Sequence, residues 1–207
     1  EMQRSLVGSE MCIRDSYNTD KNYRWGYAKL LRNNTVFNRE KQEMLEMKRG
    51  LFIDIFPCDN VPDKFIAKKI FSLKCFWVRK NSYAPVGAKY ESNKIYRLFY
   101  KILSHNSLAY IRKLYDALAC QCLDENTKRV RIVAWSSKRE NEGFPRKWME
   151  DRIEYEFEGH YFWGPQDSDG FLKFIYGNYM KLPPIDQRIP HSPATYVRLL
   201  DGTEIKQ

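Results

Sequence analysis

The chain has 207 residues and carries 35 Lys and Arg against 26 Asp and Glu, a net charge of +9. That balance suits an anionic donor, a phosphate-bearing glycan, an anionic membrane leaflet or nucleic acid, and charge alone does not choose among them. With 43% hydrophobic and 15% aromatic residues the chain can build a packed core, which excludes a disordered protein. Its longest apolar runs fall well short of the about 18 to 20 residues that a membrane-spanning helix needs.

The first segment, residues 1–16, contains LVGSEMCIRDS (6–16). It resembles the translation of a transposase-type sequencing adapter with its mosaic end, so residues 1–16 are expected to be a processing scar that makes no packed contribution. The other reading is a natural N-terminal arm. Setting the segment aside removes two basic and three acidic residues and leaves the remainder at +10. The remaining length of about 190 residues suits one sizeable domain, expected over 17–189, followed by a polar, loosely placed tail over 190–207.

From Tyr17 onward the pattern predicts a strand over 23–31, a turn at Asn33-Asn34 and a short return strand over 35–37. A polar stretch through Glu46 leads into a strand over 51–56, ended by Pro57. Asp63 is the expected N-cap of a helix over 64–80. There Phe65, Ile66, Ile70, Leu73, Phe76 and Trp77 oppose Lys64, Lys68, Lys69, Lys74 and Arg79. This reads as a core-facing helix with a solvated basic face, the other reading being a helix lying on a membrane surface. Two further helices are expected over 93–103 and 108–121, begun by Ser92 and Ser107, then a strand over 129–135. A hairpin turning at Gly159 and a helix over 168–176 stopped by Gly177 complete the pattern.

Within the strand over 51–56, Asp54 sits among Phe52, Ile53, Ile55 and Phe56. A carboxylate there is costly unless it is hydrogen-bonded, paired with a cation or bound to a metal. It reads either as a turn-capping residue or as a metal ligand. If the strand from Tyr23 runs beside it, Lys29 and Arg32 are in position to grip phosphate oxygens; otherwise they are solvated strand-end residues. Asp59 reads as orienting the following loop or as a plain turn residue.

Three segments carry a resemblance: RWGYAKLLRNNTVF (24–37), KRGLFIDIFPCDNVP (48–62), and FEG (157–159) followed by FLKFIYGNYMKLPP (171–184). In this order they resemble the LicD family, with its AKLRxxNT segment, GxFIDIFPxD strand, FEG hairpin and YGxYMxLPP close. The likeness spans most of 23–184. It implies an α/β, nucleotidyltransferase-like mixed sheet with helical insertions and a C-terminal hairpin plus helix. The implied activity is transfer of a phosphocholine-like group from a CDP-linked donor to a cell-surface glycan, lipopolysaccharide or teichoic acid; relatives include fukutin-related proteins, which transfer ribitol phosphate. It further implies a divalent metal, Mg²⁺ or Mn²⁺, with Asp54 as catalytic metal ligand, Lys29 and Arg32 on donor phosphates, and His191, after a PPxxxR-like close, near substrate. LicD proteins carry an Asp-rich segment upstream of the AKLR region. No D-x-D or Asp-Asp pair occurs between Tyr17 and Asp54. The chain is therefore expected to be incomplete at its N-terminus and inactive as it stands.

Cys58, Cys75, Cys120 and Cys122 lack zinc-ligand spacing and read as free thiols, which favours a reducing cytoplasm, with peripheral contact at the inner face of an anionic membrane. His105 and His160 read as structural. No G-x-S-x-G, P-loop or HExxH occurs, which leaves serine hydrolase, ATPase and zincin chemistry without support. The alternative of another class is a non-catalytic basic module on a membrane surface or nucleic acid. Against this alternative, the aromatics fall at core spacings instead of interleaving with Arg and Lys on one face.

Overall fold

A computed structural model describes residues 20–123, 125–135, 143–188 and 193–206, together with the backbone of a strand at Cys12–Asp15. The chain is mixed α/β, with several small sheets and five α-helices among the described residues. Every strand pair described is antiparallel, and the strands form four small sheets.

Two compact units result. The first comprises Glu1–Pro57, Trp77–Asp116 and Pro190–Gln207; the second comprises Cys58–Phe76 and Ala117–Ile189.

In the first unit, strands β1 (Cys12–Asp15), β2 (Ala28–Arg32) and β4 (Phe52–Ile55) form one sheet in the order β1-β2-β4. β1 lies inside the segment expected to be loose, yet its backbone pairs with β2 from Cys12↔Arg32 to Asp15↔Lys29. The physical reason is general: a strand edge with free N–H and C=O groups is a template for any extended segment. β3 (Val36–Arg39) is the expected return strand, but its partner is the C-terminal segment. β10 (Ala194–Arg198) pairs with it and with β11 (Glu204–Lys206), so the expected loose tail is a paired hairpin. Thr35 ties the end of β2 to the residue before β4: its hydroxyl donates to the Arg32 carbonyl at 2.6 Å and accepts from the Leu51 N–H at 2.9 Å.

Helix α1 (Phe65–Tyr90) runs well past the expected end at Lys80 and contains Pro85. Packing overrides the missing Pro85 N–H, because Ala84 and Val86 beside it are fully buried. Gly87 lets the ring of Tyr100 approach; a Cβ there would lie 2.4 Å from that ring. Tyr100 belongs to α2 (Lys94–Leu103), which Asn93 caps by accepting from the N–H groups of Ile95 and Tyr96. Ser107 accepts from the Tyr110 N–H at the start of α3 (Leu108–Ala119). Together Ala84, Tyr100 and Leu103 form a buried cluster against which Ala88 and Phe99 pack.

The early part of α1 corrects the sequence reading. Its buried face is Phe71, Cys75 and Val78, whereas Phe65, Ile66, Ile70, Leu73, Phe76 and Trp77, the expected core stripe, are all exposed. Both sets have helical spacing, and apolar periodicity alone cannot say which is covered when a helix is apolar on two faces. Asp63 does not cap this helix in the expected way; its carboxylate accepts from the Lys128 N–H at 3.1 Å.

The second unit holds a sheet of β5 (Asp59–Val61), β6 (Arg129–Arg131) and β7 (Phe144–Pro145) in that order. Its core includes Val61, Phe71, Cys75, Val130, Ile132, Phe144 and Trp148, the last from the short helix α4 (Lys147–Glu150). Hairpin β8 (Arg152–Phe157) to β9 (His160–Pro165) follows the expected register, Phe157↔His160. Glu158 and Gly159 both take positive φ, 52° and 76°, which the two-residue turn requires. Helix α5 (Ser168–Tyr176) packs Phe171 and Phe174 against Phe144 and Trp148. Tyr176 is exposed, and Tyr179, just past the end of this helix, donates from its hydroxyl back to Asp169 in its first turn at 3.0 Å. Cys58, Cys75, Cys120 and Cys122 are free thiols, as the spacing predicted. Among the described residues no helix is long and apolar enough to cross a membrane.

Candidate functional site

Alternation along β4 decides what Asp54 can do. Residues two apart share a face, so Phe52 and Asp54 point inward while Ile53, 68% exposed, and Ile55 point out. In β2 the inward pair is Lys29 and Leu31. The antiparallel register sets Lys29 opposite Asp54 and Leu31 opposite Phe52.

Lys29 donates from Nζ to Asp54 Oδ1 at 2.6 Å. Its side chain is almost fully buried, that of Asp54 about one quarter exposed. The ammonium also lies 3.3 Å from the ring centroid of Phe52 and 5.4 Å from that of Tyr27, a cation held between a carboxylate and aromatic faces. Burial draws the Lys29 pKa below the usual lysine value, and the hydrogen bond and charge of Asp54 oppose that shift. Burial and, after it, the Asp54 charge push the Tyr27 phenol well above its ordinary value, with Arg39 acting against them. Tyr27 stacks on Phe56 at 4.6 Å, and Phe37 meets Phe52 edge-on at 5.6 Å.

Beside this pair lies a cavity of about 20 Å³ whose lining includes Lys29, Arg39, Lys48, Arg49, Phe37 and Phe52. That is room for about one water, and a phosphate would enter only with movement of the walls. Asp54 is not part of its lining. Arg49 is committed to structure: it donates to Asn38 Oδ1, at 3.2 Å, and to the carbonyls of Glu43 and Leu45, which fixes the loop before β4.

Of the residues expected at the site, the fold brings together Asp54 and Lys29. β4 lies at the edge of the described sheet and not at its centre. Arg32, three residues beyond Lys29, falls on the opposite face of β2 and is exposed, so it does not approach Asp54. Asp59 begins β5 in the second unit, partly buried, and burial pushes its carboxyl pKa up. His191 lies outside the described residues. His105 sits at the end of α2 with Nδ1 2.8 Å from the Lys101 carbonyl, and His160 opens β9.

Tyr27 shares the inward face of Lys29 by the i, i+2 rule, a signal the sequence carried. Arg39 gave none, since its approach to Phe52 depends on where β3 is placed.

Among the described residues no three His, Cys, Asp or Glu side chains gather where a metal ion could sit, and one oxygen of Asp54 is already engaged by Lys29. These residues do not fit a divalent ion, which wants a sphere of several oxygens. Comparison with protein-family models, with curated proteins and with solved structures gave no significant match.

Proposed function

We propose that the chain carries a LicD-like phosphotransferase domain of nucleotidyltransferase-like fold, which moves a phosphocholine-like group from a CDP-linked donor to a cell-surface glycan. The observation that supports this reading is the 2.6 Å contact between Lys29 and Asp54. It joins AKLLRNNT to GLFIDIFPCD, two separate segments that carry the resemblance independently, through residues 25 positions apart. Their charged residues meet on neighbouring strands, as one shared site demands.

In the reaction a glycan hydroxyl oxygen bonds to the phosphorus of the transferred group while the bond from that phosphorus to the CMP oxygen breaks. Negative charge grows on the leaving phosphate. Lys29 is the group suited to offset it, exchanging Asp54 for a phosphate oxygen, and Asp54, so released, accepts the proton that the glycan hydroxyl gives up. The Mg²⁺ or Mn²⁺ that the resemblance implies has only Asp54 as a candidate ligand among the described residues.

Calorimetric titration with CDP-choline, without acceptor, tests the reading. Saturable binding that weakens at least about tenfold in Lys29→Met is expected, matching loss of one charge-assisted contact. Absence of binding, or equal binding by Lys29→Met, would overturn it.

A further inference from the structure

The first three turns of α1 present an apolar face that, among the described residues, is left exposed. Phe65, Ile66 and Leu73 are 70%, 72% and 68% exposed, and Ile70 and Phe76 about half. At about 100° per residue these side chains fill one continuous arc opposite the buried Phe71 and Cys75. Isolated exposed apolar residues are ordinary; five on one side of about 18 Å of helix are not.

The charges around this face say what covers it. From Lys64 to Lys80 there are six basic residues, Lys64, Lys68, Lys69, Lys74, Arg79 and Lys80, and no acidic one. Lys68 and Lys74 border the apolar arc on its two sides, and Lys69 lies within it with its ammonium 5.4 Å from the Phe65 ring centroid. Long cationic side chains beside an apolar stripe can bury their stems and hold their charges at headgroup depth. A protein partner would have to match Lys64, Lys68, Lys69 and Lys74 with carboxylates, whereas an anionic leaflet supplies negative charge everywhere along the helix.

We propose that this face of α1 docks on an anionic lipid surface, the helix lying in the interfacial plane with Phe65, Ile66, Ile70, Leu73 and Phe76 inserted. The inference does not rest on the phosphotransfer reading, and its test reads vesicle binding and not turnover. It also removes the sequence argument against a basic binding face, since these aromatics are not in the core.

The experiment is co-sedimentation of the full chain with phosphatidylcholine vesicles, with and without about one third phosphatidylglycerol. Two variants accompany it: Phe65→Ser/Ile66→Ser/Leu73→Ser and Lys68→Gln/Lys69→Gln/Lys74→Gln. The substituted apolar residues are exposed, so the fold should persist, checked by circular dichroism. Expected is binding to the anionic vesicles alone, reduced about tenfold or more in each variant and by added salt. Four outcomes would overturn the proposal. They are no sedimentation with vesicles; unchanged binding in the serine variant; self-association that this variant abolishes, making a second copy the occupant; and binding to single-stranded nucleic acid that competes the vesicles away.

Discussion

Lys29 and Asp54 face one another across the β2–β4 pair, with the cation the more deeply buried partner, and this asymmetry predicts unequal responses to mutation. Asp54→Ala leaves an ammonium in a pocket of Phe52, Leu31 and Tyr27 without its counterion. It should cost about 2 to 3 kcal/mol, the lower end for a buried pair because Asp54 keeps some solvent. Lys29→Met replaces the ammonium by an apolar chain of similar length and should change stability by less than about 1 kcal/mol. Urea unfolding followed by circular dichroism measures both. A Lys29→Met variant as unstable as Asp54→Ala would mean that the pair is a net source of stability and not a satisfied but costly contact.

A second prediction concerns Asn60 in β5, whose side chain is saturated. Its amide donates to the carbonyls of Cys122 and Glu125, at 2.6 and 2.8 Å, and its oxygen accepts from Arg146. Asn60→Ala strands these groups and should cost about 2 kcal/mol. Asn60→Asp keeps the acceptor for Arg146 but turns a carboxylate oxygen toward two carbonyls. Near neutral pH it should be no better than Ala, and it should recover in acid, where the protonated carboxyl can donate. Thermal melts at both pH values decide this; an Asp variant as stable as wild type at neutral pH would show that the two carbonyls are satisfied elsewhere.

Legibility followed the locality of the signal. The turn at Gly159 and the helix stopped at Gly177 were readable because a few adjacent residues determine each one, whereas Ser92 was read as the start of a helix that Asn93 caps. Asp54 was readable as an anomaly in an apolar run, and Lys29 as its neighbour once two strands are set side by side. What failed depended on distant partners. The pairing of β3 with β10 joins residues more than 150 positions apart, and nothing in VFNR names ATYVR as its mate. The buried side of α1 was misread because both of its faces are apolar. Arg32 was grouped with Lys29 by closeness in sequence, although the strand period places them on opposite faces.

The last prediction is a pH dependence carried by Asp59. Burial pushes its carboxyl above the ordinary aspartate value, and no cation is among the causes acting on it, so the ionised form is disfavoured in the fold. A raised acid pKa means that the native state holds its proton more tightly than the unfolded chain. The stability this contributes is fully present below the ordinary aspartate pKa and is lost as pH rises through the raised native value. At neutral pH the fold therefore bears the cost of a partly buried carboxylate, and Asp59→Asn should be more stable than wild type, with the gap closing in acid. Cys58 supplies a second readout. Its thiol is pushed up first by burial and then by the neighbouring Asp59 charge, so Asp59→Asn should bring its pKa down and quicken its alkylation at mildly alkaline pH. Denaturation midpoints across the acid range and iodoacetamide kinetics in a Cys120→Ser background measure the two effects. Destabilisation by Asp59→Asn at neutral pH would show instead that the carboxylate holds a cationic partner, and the account of Asp59 as an unpaired, desolvated acid would fall.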